Sequence, residues 1–290
     1  MSMGSIGEKI ALRLRAFNEL PVRGKHFLET HRLIAEPDID AAGIARIIEK
    51  DPWLSAKILA AVNSVYYSGR YGEISGLKQA VARLGLDEVK RISLAFSVMN
   101  IFPDESGVIN SRDFWLHSIG AAMMTRSIAE CAIAVKVDAD AAYVAGLFHD
   151  AGMLFLAQCC PEAYRAVRET AAGYSESLLV AEKKLMDIDH AEAGGMVLEQ
   201  WKLPEVVVSA VRNHHEPDCA AVPVRPLAQV VHLADFSCSL LGAGEPGDTL
   251  PQGFSHGAFH DLGVDPESIQ QIIARTEEEI ERTKILFHVV

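Results

Sequence analysis

Residues 140–159 read DAAYVAGLFHDAGMLFLAQC, a stretch in which nearly every side chain is apolar or small. This composition predicts one helix from about Asp140 to Cys159 that is central in the fold and buried on most sides. His149 and Asp150 stand out, because they place an imidazole and a carboxylate in the middle of that helix. A buried carboxylate costs free energy unless it is paired or binds a metal. We therefore favour a ligand role for this pair over a packing role.

The rest of the chain shows the helical period of apolar residues and almost nowhere the alternation of a strand. Asp40 is expected to cap one helix, and Asp51 with Pro52 to begin another. Ser111 or Asp113 is expected to cap a long helix. Residues 242–265 are rich in glycine and are predicted to be loop. Further helices are predicted at 6–17, 26–34, 77–84, 87–99, 176–186, 190–201, 204–213, 226–241 and 266–285. The predicted fold class is all-α, a multi-helical bundle.

Histidines and aspartates recur in order along these predicted helices. Imidazole and carboxylate ligands together suit a divalent metal such as Fe, Mn, Zn, Ni or Mg. Facing helices of a bundle are an established frame for such a centre, and the lack of cysteine in the series argues against a structural zinc site. The candidate residues are His117, His149, Asp150, His190, His214, His215 and Asp235.

Each histidine also has a purely structural interpretation, because a single helical histidine is more often a core or surface residue than a ligand. His214 and His215 are compatible with a solvated helix end, where a protonated imidazole interacts well with the helix dipole. His232 precedes Asp235 by three residues, so it either orients that carboxylate or is partly buried. No site role is predicted for His26, His31, His256, His260 and His288.

The composition excludes several classes of protein. The chain has 290 residues, of which 49% are hydrophobic and 23% are charged, as in a folded protein with a sizeable core. Acidic residues outnumber basic ones by 39 to 27, for a formal net charge of −12. That charge disfavours a general nucleic-acid or anionic-membrane binder, which needs a basic face.

The chain also lacks the features of an exported or membrane protein. Its five cysteines form no C-x-x-C pair, and its first residues contain no apolar signal region. No uncharged apolar run approaches the ~18 to 20 residues of a membrane span. We expect a cytoplasmic protein with reduced thiols and no membrane contact.

Two motifs precede the histidine and aspartate series. Residues 51–64 follow the pattern DP-x-L-x-A-x-I-L-x-x-x-N-S, and residues 74–85 follow I-x-x-L-x-x-A-x-x-x-L-G. With the later series, these motifs resemble the HDOD branch of the HD superfamily of metal-dependent phosphohydrolases, which is found in bacterial signalling proteins. The resemblance implies an amino-terminal helical HDOD subdomain at 1–108, an HD-like metal-binding core at 109–241, and a loop with a carboxy-terminal helix at 242–290.

The resemblance also implies a role for each candidate residue. In catalytic HD domains, one metal ion is held by the residues that match His117, His149, Asp150 and Asp235. In dinuclear members, a second ion is completed by the residues that match His190, His214 and His215. The doublet aspartate often bridges the two ions, so Asp150 is the expected catalytic residue. The implied substrate is a nucleotide or another phosphate ester.

Two departures from the HD-GYP branch leave two functional hypotheses open. That branch usually carries lysine four residues after the doublet histidine, where this chain has Met153. It also carries Gly-Tyr-Pro after the paired histidines, where residues 214–224 read HHEPDCAAVPV. These differences disfavour cyclic-di-GMP hydrolysis by that mechanism. The chain is then either a metal-dependent phosphohydrolase of signal transduction or a non-catalytic regulatory module that recruits a signalling partner and keeps a structural or vestigial metal site.

Overall fold

The fold is that of a computed structural model, which describes residues 6–16, 39–63, 73–86, 88–89, 92–93, 96, 106–174, 176–242 and 255–289. Helices form nearly all of the regular structure there, and no strand occurs in these ranges. The all-α prediction is therefore confirmed. The helices predicted at 26–34 and, for the most part, 87–99 lie outside the described residues. The five cysteines are all free thiols.

The chain divides into two compact units. The larger unit contains Met1–Glu19 and Asp104–Ile280, and the smaller unit contains Leu20–Pro103 and Glu281–Val290. Each unit therefore combines segments that are distant in the sequence. All seven candidate residues belong to the larger unit.

Within the described residues, the helices α2 (Ala41–Ile48), α3 (Pro52–Asn63) and α4 (Leu77–Leu84) lie entirely in the smaller unit. The predicted caps are confirmed. The carboxylate of Asp40 accepts a hydrogen bond from Gly43 N at 2.7 Å, and that of Asp51 accepts from the backbone N–H groups of Trp53 and Leu54, both at 3.0 Å. Each cap satisfies amide groups that a helix leaves unpaired at its first turn.

Asn63, in the first of the two sequence motifs, joins α3 to the segment before α4. Its side-chain amide donates to Ile74 O at 2.7 Å and accepts from Ile74 N at 2.8 Å. The apolar faces of the three helices close over a common core whose larger members are Ile44, Ile48, Leu54, Ile58, Val62, Val81, Ile92 and Phe96.

The larger unit contains the remaining helices and the histidine and aspartate series. Its long central helix α5 packs on α6 and α12, α7 packs on α10, and α11 packs on α6, α10 and α12. The helices are α1 (Ile6–Ala16), α5 (Ser111–Cys131), α6 (Ala139–Phe148), α7 (Ala151–Cys159), α8 (Pro161–Tyr174), α9 (Leu178–Met186), α10 (His190–Gln200), α11 (Glu205–Arg212), α12 (Arg225–Leu240), α13 (His256–Leu262) and α14 (Pro266–Val289), the last of which ends in the smaller unit.

The prediction of one continuous helix from Asp140 to Cys159 is wrong. The stretch forms two helices, α6 and α7, because Asp150 adopts φ −98° and ψ 7°, outside the helical region. Its predicted burial is confirmed, since seven consecutive residues of α7, 151–157, are buried. The interruption turns two polar side chains inward without exposing the apolar ones.

Two smaller predictions also need correction. The long helix α5 is capped by Asn110, whose side-chain oxygen accepts from Arg112 N at 3.1 Å and from Asp113 N at 3.4 Å. The cap therefore precedes Ser111 by one residue. The stretch 242–265 is not all loop, because α13 forms there with Ala258 and Leu262 buried on one face. The glycines of the stretch 242–265 made the helical period of α13 difficult to detect in the sequence.

A close approach of two helices fixes the geometry beside Asp150. A Cβ atom on Gly152 of α7 would overlap the carbonyl oxygen of His190 and lie 2.6 Å from Gly194 N of α10. The two backbones therefore touch, which only glycine at this position allows. This contact sets the first residue of α10 directly against the start of α7.

Candidate metal centre

The junction of α6 and α7 presents His149 and Asp150 to the interior. The His149 side chain is fully buried, and 8% of the Asp150 side chain is exposed. His149 Nδ1 lies 2.8 Å from Gly146 O, an atom that can only accept, so Nδ1 donates this hydrogen bond. The other ring nitrogen, Nε2, then points away from the helix toward the aspartate.

Three of the candidate residues form what we call the first group: His117, His149 and Asp235. His117 Nε2 lies 3.1 Å from Asp235 Oδ1 and 3.3 Å from His149 Nε2. His149 Nε2 lies 3.5 Å from the same Asp235 oxygen. One ligand atom from each residue thus falls within 4.8 Å of the others, a spacing that can hold a metal ion.

The other four form the second group: Asp150, His190, His214 and His215. Asp150 Oδ1 lies 3.4 Å from His190 Nε2 and 3.7 Å from His214 Nε2, while His190 Nε2 lies 2.7 Å from His215 Nε2. One ligand atom from each of these four residues likewise lies within 4.8 Å of the others. The structure therefore brings together all seven residues that the sequence singled out.

Asp150 faces both groups with different oxygens. Its Oδ2 lies 3.2 Å from His149 Nε2 and 3.8 Å from His117 Nε2, whereas Oδ1 faces the second group. Asp150 could therefore offer a ligand oxygen to a cation in either group.

Three of the histidines direct the same ring nitrogen into the centre. His214 Nδ1 donates to Val211 O at 2.7 Å, and His190 Nδ1 donates to the Glu182 carboxylate at 2.7 Å, as His149 Nδ1 donates to Gly146 O. In each ring Nε2 is the atom left to bind a cation. Metal-binding histidines commonly fix their other ring nitrogen in this way.

A buried nitrogen without a partner supports the same conclusion. His214 Nε2 is shielded from solvent and has no hydrogen-bond partner within the described ranges. Such an atom costs free energy unless something meets it. The imidazole and carboxylate donor set around it fits a divalent transition metal.

The environment holds two of the imidazoles in the neutral form. Burial, with the neighbouring His149 and His190, lowers the pKa of His214 to about 4. Burial, with His214 and His190, also brings the pKa of His215 well below its usual range. Neutral imidazole is the form that binds metals.

The carboxylates stay ionised despite burial. Burial alone raises the pKa of Asp150, but His149 and His190 outweigh it and hold that pKa well below its usual range. Burial alone lowers the pKa of His190, but Glu182 and Asp150 outweigh it and raise the pKa to about 10. The negative charge of the carboxylates is therefore balanced by protons on imidazoles, which a divalent cation would replace.

Two residues of the centre were missed by the sequence analysis. Glu182 is fully buried on α9, and Tyr164 is fully buried on α8. The signal for Glu182 was present, since it shares the buried side of α9 with Leu178, Ala181 and Met186. A carboxylate on an otherwise apolar stripe predicts a buried partner.

The structure decides between the two interpretations of His232. Its Nδ1 donates to His214 O at 2.8 Å, and its Nε2 accepts from Ser255 N at 3.2 Å. It is almost fully buried, and both of these hydrogen bonds are to main-chain atoms, not to the carboxylate of Asp235. His232 therefore anchors the segment that carries the paired histidines to α12. His260 is exposed and belongs to neither group.

Comparison with known proteins identifies the family. The family model of the HDOD domain matches residues 20–217. The chain belongs to the HDOD family. The match includes six of the seven candidate residues, and the seventh, Asp235, follows on α12.

A curated relative also matches most of the chain. The chain is 25% identical over 247 residues to an uncharacterized protein from Treponema pallidum (strain Nichols), a match that covers 85% of this chain and 47% of the relative. This chain thus spans about half the length of that relative.

No helix among the described residues is both long enough and apolar enough to cross a membrane.

Solved structures share the HDOD fold. A protein of unknown function from Geobacter sulfurreducens, described as an HDOD domain protein, is 24% identical, with 98% of each chain covered and a TM-score of 0.71. A candidate phosphohydrolase from Shewanella amazonensis SB2B is 21% identical, with 96% of this chain and 98% of that chain covered and a TM-score of 0.66. At these identities the likeness concerns the fold.

Proposed function

We propose that this HDOD protein is a bacterial, cytoplasmic signal-transduction protein that binds one or two divalent transition metal ions and hydrolyses a phosphate ester, such as a nucleotide. The observation that carries the proposal is the convergence of seven imidazole and carboxylate groups on one buried centre. The family assignment supports the same function, because HDOD domains resemble the HD superfamily of metal-dependent phosphohydrolases.

A divalent ion at this centre would polarise a phosphoryl oxygen and acidify a water molecule. The chain's own residues supply the frame. The first and second groups would hold the ion through imidazole nitrogens and carboxylate oxygens, and the helices α5 and α10, which carry His117 and His190, are largely buried. Asp150 faces each group with one carboxylate oxygen. Its proposed role as the catalytic residue is to contribute a ligand oxygen to each group.

The substrate would enter at the least buried edge of the centre. The side chain of Asp235 is 19% exposed, and His215 is half-buried, whereas His117 and His149 are closed off. A bound cation supplies the positive field that a chain of net charge −12 otherwise lacks for a phosphate.

Metal content provides the first test. The protein purified without chelator should carry at least one transition metal by elemental analysis, and His149→Ala or Asp150→Ala should lose it. His260→Ala, which changes an exposed histidine outside both groups, should keep it. A metal-free wild type under these conditions contradicts the site assignment.

Turnover provides the second test. With Mn²⁺ or Fe²⁺ added, the wild type should release phosphate or nucleoside from a nucleotide panel at a rate well above that of Asp150→Ala. The paired comparison is needed because contaminating phosphatases give the same background in both preparations. Equal rates in the two proteins reject hydrolysis.

One observation favours a second candidate function, a non-catalytic regulatory module that binds metal and recruits a signalling partner. Met153, at the position where HD-GYP enzymes usually carry lysine, is buried in α7 with 2% exposure. A packed methionine contributes no charge to a phosphate. Metal binding without turnover above Asp150→Ala would support this function.

A further inference from the structure

Glu182 is a buried charged group that neither ligand group includes. Its side chain is fully buried on α9, where an ionised carboxylate costs free energy unless hydrogen bonds compensate for the lost water. It has three such bonds. Oε1 accepts from the hydroxyl of Tyr164 at 2.7 Å, and Oε2 accepts from the main-chain N of His190 at 2.8 Å and from His190 Nδ1 at 2.7 Å.

The two bonds to His190 act on different parts of the same residue. The main-chain N–H belongs to the first residue of α10, where helix amides lack internal partners and a negative charge is favourable. The ring Nδ1–H is held by the same oxygen. Backbone and ring are therefore tied to one point, which leaves the imidazole a single orientation.

We propose that Glu182, held in turn by Tyr164, is a positioning residue that fixes the ring of His190 so that its Nε2 faces the second group. The inference rests on the proposed function only in naming a metal ion as the partner of that nitrogen. Glu182 itself belongs to neither ligand group. Its oxygens are already occupied by Tyr164 and His190.

The packing around the pair supports a positioning role. Gly152 lets the backbone of α7 meet His190 O, so the main chain of His190 is held on its other side by that contact. Tyr164 is fully buried on α8, and burial together with Glu182 raises the pKa of its hydroxyl well above the usual value. The hydroxyl thus keeps its proton and remains a donor to the carboxylate.

Proton NMR of the metal-free protein tests the orientation directly. The His190 Nδ1–H, hydrogen-bonded to a carboxylate, should give a downfield resonance protected from solvent exchange. We expect this resonance to disappear in Glu182→Leu, to move upfield in Glu182→Gln because the acceptor becomes neutral, and to move less in Tyr164→Phe. Glu192→Gln is the matched control, since Glu192 is exposed and bonds Lys183 at 3.1 Å.

Calorimetric titration with Zn²⁺ alone tests the consequence for binding. Loss of an outer hydrogen-bond partner of a ligating histidine typically lowers metal affinity about 10- to 100-fold. We expect that loss for Glu182→Leu, a smaller loss for Glu182→Gln and Tyr164→Phe, and none for Glu192→Gln. A merely structural role would lower the melting temperature and leave the resonance of His190 in place.

The two readouts separate this inference from the proposed function. A wild type that binds no Zn²⁺ contradicts the metal site, while the resonance still reports whether Glu182 positions His190. A folded Glu182→Leu that keeps the protected resonance overturns the inference. If Glu182→Leu does not fold, an unshifted resonance in both Glu182→Gln and Tyr164→Phe overturns it equally.

Discussion

At the scale of single residues, two aspartates that look equivalent in the sequence occupy different positions. Asp150 is almost fully buried between the two groups and faces each with one oxygen. Asp235 lies at the more exposed edge and faces only the first group, through Oδ1. Their removal should therefore have different consequences for metal binding.

We expect Asp150→Asn to lower the affinity for every Mn²⁺ ion that the wild type binds. Asp235→Asn should lower the affinity only for the ion held by the first group. Each loss should exceed the about 10- to 100-fold that follows from losing an outer partner, since a direct ligand is removed. Isothermal titration with Mn²⁺ measures both. Identical binding curves for the two variants would show that Asp150 does not serve both groups.

The residue types of the centre could be predicted from the sequence, but their partners could not. His117, His149 and Asp235 stand out because polar side chains interrupt apolar helices. Glu182 could have been found from its place among apolar residues of α9, but its partners, Tyr164 and His190, lie 18 and 8 positions away, and only the packed fold identifies them.

At the scale of helices, the contact between α7 and α10 determines where Asp150 meets His190. We predict that Gly152→Ala destabilises the protein by about 1–3 kcal/mol or more, because its new methyl group would meet backbone atoms that cannot move aside. Metal affinity should fall with it, since the second group straddles this contact. Urea unfolding and Zn²⁺ titration measure the two effects.

Gly173→Ala is the matched control for this variant. Gly173 lies in α8, and an added Cβ atom would meet nothing within 4 Å. There the substitution should raise stability by about 0.4–1 kcal/mol through the unfolded state. If Gly152→Ala were as stable as Gly173→Ala, the two helices would not be in backbone contact.

Helix boundaries were predictable where a local cap sets them and less so where packing does. Asp40 and Asp51 begin α2 and α3 as expected, because each side chain bonds amides within its own first turn. The interruption at Asp150 has no proline to announce it, and its flanking residues suit a continuous helix. Periodicity therefore shows that α6 and α7 are buried, but it does not show that they are separate.

At the scale of the whole molecule, a metal ion that binds only the folded larger unit must stabilise it. At a free concentration 100 times the dissociation constant, one ion adds about 2.7 kcal/mol. For a unit of this size that corresponds to a rise in melting temperature of roughly 5–10 °C. We expect Mn²⁺ to produce this rise in scanning calorimetry and EDTA to reverse it.

His149→Ala should show a smaller rise in melting temperature with Mn²⁺ than the wild type, because its first group is broken while the second group is intact. A rise in the variant equal to that of the wild type would place the ion elsewhere on this acidic chain. His260→Ala should respond as the wild type does, since its side chain is exposed on α13.

The distance along the chain between two touching residues has a consequence for biosynthesis. His117 and Asp235 meet at 3.1 Å although 118 positions separate them. A ribosome that adds about 5–20 residues per second makes Asp235 roughly 6–24 s after His117. Throughout that interval the nascent chain carries only part of the first group. An ion held by the first group would therefore be inserted only after α12 has been synthesised, and a polypeptide truncated before α12 would contain two of the three residues of that group.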